Sequence, residues 1–122
     1  PTSMQTAVTS FVETYGGRPG TKLLAILGDM NELGGYSAQM HLDIAASVLS
    51  APALDVWFVG HHFPTAFVEL KRLNPKGCTK DIRTFADSDE VVRYLGSHPV
   101  DGRTILVKGS RKSELEKVVP LL

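Results

Sequence analysis

The sequence predicts an α/β fold, Rossmann-like, with a mostly parallel sheet and helices on both of its faces. Three observations carry this reading. Short apolar runs closed by glycine or small polar residues recur, as at Leu23–Leu27 before Gly28, Val56–Val59 before Gly60 and Ile105–Val107 before Lys108-Gly109. Unbroken apolar runs of this length are typical of strands buried on both faces, as a parallel sheet requires. The segments between them carry apolar residues at helical spacing, and strand–helix alternation builds a parallel sheet. Finally, no linker, low-complexity tract or fixed-period repeat divides the 122 residues, so 1–122 reads as a single domain.

The elements follow in order. Pro1-Thr2-Ser3 opens a helix in which Met4, Ala7, Val8, Phe11, Val12 and Tyr15 share a face, and Gly16-Gly17 with Pro19-Gly20 ends it. A strand runs from Lys22 to Leu27. A polar loop, Asp29-Met30-Asn31-Glu32, and the Gly34-Gly35 break lead to a helix over Ser37 to Leu49, with Met40, His41, Ile44, Ala45 and Val48 inward. Asp55 to Gly60 is the second strand, and a helix from about Pro64 to Leu73 turns Phe67 and Leu70 inward. Asn74 to Lys80, with Pro75 and Gly77, is a loop. Ile82 to Ala86 is a shorter strand. Asp87-Ser88-Asp89-Glu90 supplies a cap and early negative charge for a helix carrying Val91, Val92 and Leu95. After a turn at Pro99–Gly102, Thr104 to Val107 is the last strand, and a terminal helix buries Leu115, Val118 and Val119.

Composition narrows the function. Hydrophobic residues at 43% and charged residues at 21% place the chain among globular proteins. Thirteen Lys and Arg balance thirteen Asp and Glu, which gives no support to nucleic-acid or anionic-membrane binding. No apolar stretch approaches the ~20 residues that span a bilayer. The single cysteine, Cys78, has no internal disulfide partner and no neighbouring histidine, so it reads as an incidental loop residue in a reducing, cytoplasmic compartment. The chain starts at Pro1 without an initiator Met, which reads as an excised fragment.

In a parallel sheet the strand ends Gly28-Asp29, Gly60-His61, Ala86-Asp87 and Lys108-Gly109-Ser110 converge on one crevice, where ligands of open α/β sheets bind. Lys108-Gly109-Ser110-Arg111-Lys112 places cations, a hydroxyl and backbone N–H groups at a strand-to-helix junction. A carboxylate or phosphate guest, or simply a capped helix with solvated lysines, fits that pattern. Asp29, Asn31 and Glu32 fit contacts to a ribose, a metal-bound water or an amine, or a turn that bonds its own backbone. His41 lies on an apolar stripe, as a core histidine bonded to the neighbouring loop does. His61-His62 are helix neighbours that do not face each other, which argues against a two-histidine metal site. The G-x-x-x-x-G-K-[ST], G-x-G-x-x-G and G-x-S-x-G motifs and zinc-ligand spacings are all missing. The domain therefore presents a ligand-binding edge without a complete catalytic apparatus.

Three motifs, the opening P-T-S-M helix, L-G-D-M-N-E-L-G-x-Y-S-x-x-x-H from Leu27 to His41, and L-V-K-G-S-R with E-K-V-V from Leu106 to Val119, together resemble the carboxyl-terminal domain of the Mur ligase family. Within it the likeness is to the branch that adds D-alanyl-D-alanine to UDP-N-acetylmuramoyl-tripeptide in peptidoglycan precursor synthesis. The resemblance implies that this is the acceptor-binding domain of a three-domain ligase whose absent amino-terminal and central domains bind the UDP-sugar peptide and ATP with Mg²⁺. No cofactor is expected on this fragment alone, which would begin at the domain border and be inactive when isolated. It implies that ATP phosphorylates the tripeptide carboxylate and the dipeptide amine attacks the acyl phosphate. Carried over residue by residue, Lys108, Gly109, Ser110 and Arg111 bind the dipeptide carboxylate and orient the acceptor. Gly28, Asp29, Asn31 and Glu32 face the nucleotide cleft, and His41 braces their loop. The alternative is a receiver-like, non-enzymatic signalling module, also a doubly wound sheet. It expects an acidic pair after strand one, an Asp after a middle strand and a late Lys-Pro; here Gly60 precedes histidines and Lys108 precedes Gly109.

Overall fold

The centre of the computed structural model is β1 (Leu23–Gly28), all six residues of which are buried. The structure describes residues 2–31, 34–76 and 80–122. On one side β1 pairs in parallel with β2 (Leu54–Val59), which pairs with the edge strand β3 (Ile82–Phe85). On its other side β1 pairs in parallel with β4 (Thr104–Lys108), so the order is β3-β2-β1-β4. The expected mostly parallel sheet is all parallel among the described residues. Chain progress runs outward from β1 to β3 and then reverses to β4, which makes the β1–β4 boundary the topological switch point.

Side chains alternate along each strand, so β1 feeds two cores. Leu23, Ala25 and Leu27 pack on one face with Met4, Val8 and Phe11 of α1 (Thr2–Tyr15), Ile44 and Val48 of α2 (Ser37–Ser50), and Phe63 and Ala66 of α3 (His62–Leu73). Leu24 and Ile26 pack on the other with Trp57, Phe85, Val91 and Leu95 of α4 (Ser88–Ser97), and with Leu115 and Val118. Both faces are covered, as the sequence predicts. Met40, expected inward, is only half-buried; Phe67 and Leu70 pack against the core from partial burial, and α3 buries Phe63 and Ala66 in addition.

The terminal segment departs from expectation. No α-helix follows β4; three 3-10 turns, Arg111–Ser113, Leu115–Lys117 and Val119–Leu121, take its place. Glu114 adopts the left-handed conformation, φ 50° and ψ 37°, which breaks any continuous helix, and Pro120 has no N–H to extend one. The turns still deliver Leu115 and Val118 to the core, whereas Val119 is 53% exposed. Glu32 and Cys78 lie outside the described residues.

Candidate functional site at the carboxyl ends of the strands

Asp29, one residue beyond β1, accepts three backbone N–H groups through its carboxylate. His61 and His62 donate to Oδ2 at 2.7 and 2.8 Å, and Phe63 donates to Oδ1 at 2.9 Å. These are the orphan donors of the first turn of α3, whose own N-cap residue, His61, makes no side-chain cap. A carboxylate there also complements the positive end of the helix. This explains why α3 starts at His62, ahead of Pro64, whose missing N–H is harmless in the first turn. Gly60 makes room for the arrangement. Its φ is +122°, and a Cβ there would lie 2.5 Å from the Asp29 carboxylate.

A second seam joins β1 to β4. The Asp29 carbonyl accepts from the Ser110 N–H at 3.1 Å and, at 3.4 Å, from the Ser113 hydroxyl. A Cβ on Gly28 would lie 2.5 Å from Ser113 Oγ, and one on Gly109 would lie 2.9 Å from the Gly28 Cα. The glycines of the two motifs therefore let the strand ends and the first 3-10 turn close on one another. Asn31 is exposed at the head of the loop.

His41 is fully buried on α2. Its Nε2 accepts the Met30 N–H at 2.9 Å, so the proton sits on Nδ1, which donates to the Ser37 carbonyl at 2.7 Å. Its ring stacks on His62 and meets Phe63 edge-on, with centroids 4.8 and 4.7 Å away. Burial lowers its pKa below the ordinary histidine value, against the opposing pull of the Ser37 carbonyl and the Asp29 charge. His41 thus ties α2 to the residue after Asp29.

Above these ties lies an open cleft of ≈ 680 Å³, which reaches all four strand ends through Asp29, Gly60, Asp87 and Ser110. That size suits a small charged molecule. On the α1 side a smaller groove of ≈ 250 Å³ is lined by Ser3, Asn31, Lys108 and Gly109; Asn31 and Ser110 line both spaces. Lys108 pairs in register with Leu27, which sets its side chain on the α1 face of the sheet rather than in the larger cleft. Lys108 is half-buried, with no hydrogen bond or ion pair for its ammonium among the described residues. Arg111 is exposed and lines neither space; Lys112, the last cation of the Lys108–Lys112 run and outside the segment carried over from the family, lines the larger cleft. On the opposite wall Lys117 bridges Glu114 and, at 3.5 Å, Asp89 at the start of α4. No three His, Cys, Asp or Glu side chains among the described residues are placed to hold a metal. With both Asp29 oxygens engaged by backbone, these residues do not fit a self-sufficient Mg²⁺–nucleotide site.

The geometry defines a class: a doubly wound α/β domain with an open cleft at its switch point. Residues 1–111 match the family described as Mur ligase, glutamate ligase domain, and the chain belongs to that family. It is 28% identical over 101 residues to the UDP-N-acetylmuramoyl-tripeptide–D-alanyl-D-alanine ligase of Rickettsia prowazekii (strain Madrid E), covering 83% of this chain and 21% of that protein. Crystal structures I and II of MurF from Acinetobacter baumannii superpose with TM-scores of 0.70 and 0.71 at 26% identity, over 98% of this chain. They share its fold. The chain spans 24% and 25% of those structures' chains.

Proposed function

We propose that this chain is the carboxyl-terminal, acceptor-binding domain of an ATP-dependent ligase that joins D-alanyl-D-alanine to UDP-N-acetylmuramoyl-tripeptide in the cytoplasm. The family match and the names of its relatives support the ligase class. The observation that carries the acceptor role is the half-buried, unpaired Lys108 ammonium beside Ser110 at the switch point, a combination that favours a carboxylate. In this reading Ser110, which borders both spaces, lies under the dipeptide carboxylate, with Lys108 on one side of it and Lys112 on the other. Arg111, exposed at the rim, contacts the acceptor or another domain only once the enzyme closes. Gly28 and Gly109 hold the floor, and Asp29 and His41 fix the wall through α3 and α2. Asn31, on the loop after β1, faces the nucleotide-bearing domain, which supplies the ATP and Mg²⁺ site; the same role for Glu32 rests on the family resemblance alone. The chain's own contribution is to bring the amine to the activated carboxyl and to exclude water from it.

The test is steady-state kinetics of the full-length protein that carries this chain. Lys108→Ala should raise the KM for D-alanyl-D-alanine about tenfold, the effect of one charge-assisted contact, and leave the KM for ATP unchanged. Unchanged dipeptide kinetics would remove Lys108 from the site. No turnover of the dipeptide by the wild-type enzyme would remove the ligase assignment itself.

A further inference from the structure

The cleft also reaches the start of α4, where Asp87, Ser88 and Asp89 line it. Asp87 caps this helix by accepting the Glu90 N–H through Oδ1 at 3.0 Å, and no hydrogen bond or ion pair engages its Oδ2 among the described residues. Ser88 beside it lines the same cleft and is only 4% exposed. Its hydroxyl has no hydrogen-bond partner among the described residues. Trp57 Nε1 is the one buried side-chain polar atom there that lacks both solvent and a partner, so the Ser88 hydroxyl keeps contact with the cleft. A nearly buried hydroxyl with no protein partner that faces the cleft is free to bond a guest there. Around it, Asp87, Asp89 and Glu114 outnumber Lys117, which is spent on the last two, so this wall is negative.

We infer that Asp87 and Ser88 form the amine subsite of the acceptor, receiving the ammonium of the dipeptide whose carboxylate lies toward Ser110. This rests on the acceptor reading above and adds a polarity to it. The ligand spans the cleft from the switch point to the start of α4, with its nucleophilic end over the β3 end. Such an arrangement favours a zwitterion over a peptide whose amine is blocked, which keeps its carboxylate contacts but leaves Asp87 facing a neutral group. Asn keeps the helix cap that Asp87 supplies, so Asp87→Asn removes the charge without removing the cap.

The experiment compares two ligands in the full-length protein: D-alanyl-D-alanine as substrate and N-acetyl-D-alanyl-D-alanine as competitive inhibitor. Asp87→Asn should raise the KM for the free amine about tenfold and leave the inhibition constant of the acetylated peptide unchanged. Ser88→Ala, read the same way, should weaken the free amine by about threefold to tenfold and serves if the Asp87 variant fails to fold. Equal weakening of both ligands would show a structural role and overturn the inference, as would no change in either. Either result leaves the acceptor reading standing as long as the wild type uses the dipeptide.

Discussion

Asp29 shows how a residue at a functional edge can be fully occupied by the fold. Its three backbone partners are 32 to 34 residues away, on an element that has no cap of its own. Asp29→Ala leaves three N–H groups of α3 unpaired and should cost about 2–3 kcal/mol in urea denaturation. Gly60→Ala should cost at least about 1 kcal/mol, since its φ is positive and its new Cβ would strike the Asp29 carboxylate. In the double variant the two losses should fall short of their sum, because the clash disappears with the carboxylate. His41 carries a pH prediction. Its folded pKa lies below the unfolded value of about 6.5, so the folded state binds fewer protons there. The stability it contributes is fully present above about pH 6.5 and is lost as pH falls from there through the folded pKa. The melting temperature should therefore drop less steeply between pH 7.5 and 5.5 in His41→Gln than in the parent. A parallel decline in the two proteins would exclude His41 as a source. The sequence marked Asp29 as a polar residue at a strand end, but nothing local announced its partners on α3.

At the level of elements, legibility tracked periodicity. The four strands and the helices α1 to α4 were readable because runs of the type Leu23–Leu27 and stripes of the type Met4–Val8–Phe11 are local signals. The terminal segment was not, because Leu115 and Val118 are three apart, a spacing shared by α-helix and 3-10 turns. The left-handed Glu114 that decides between them has no sequence mark. Arg111 came forward from the K-G-S-R likeness rather than from any local geometry, and in the turn found there it is Lys112 that lines the larger cleft while Arg111 is exposed. Leu115 is the anchor of this segment, 5% exposed and packed beside Gly28 and Gly109. Leu115→Ala should destabilise the protein by about 2–4 kcal/mol in chemical denaturation. It should also loosen the turn that carries Lys112, so the full-length enzyme's KM for the acceptor should rise while its KM for ATP stays put. A stable variant with unchanged acceptor kinetics would detach the terminal turns from the site.

For the whole molecule, the order β3-β2-β1-β4 is what turns scattered motifs into a site. The glycine-rich ends of β1 and β4 meet because the chain reverses direction between them. The parallel sheet and its common edge were legible from strand–helix alternation. The division of that edge into a larger cleft and a side groove holding Lys108 was not, since it depends on which face of β4 the lysine takes. On the proposed reading, such a domain would hold a small zwitterion between Ser110 and the start of α4 and present it to a reaction centre elsewhere in the protein. The most direct test is a crystal structure of the full-length protein with D-alanyl-D-alanine. Dipeptide density is expected beyond the strand ends, its carboxylate over Ser110 and its nitrogen toward Asp87. Density away from the carboxyl ends of β1 and β4 would contradict this placement.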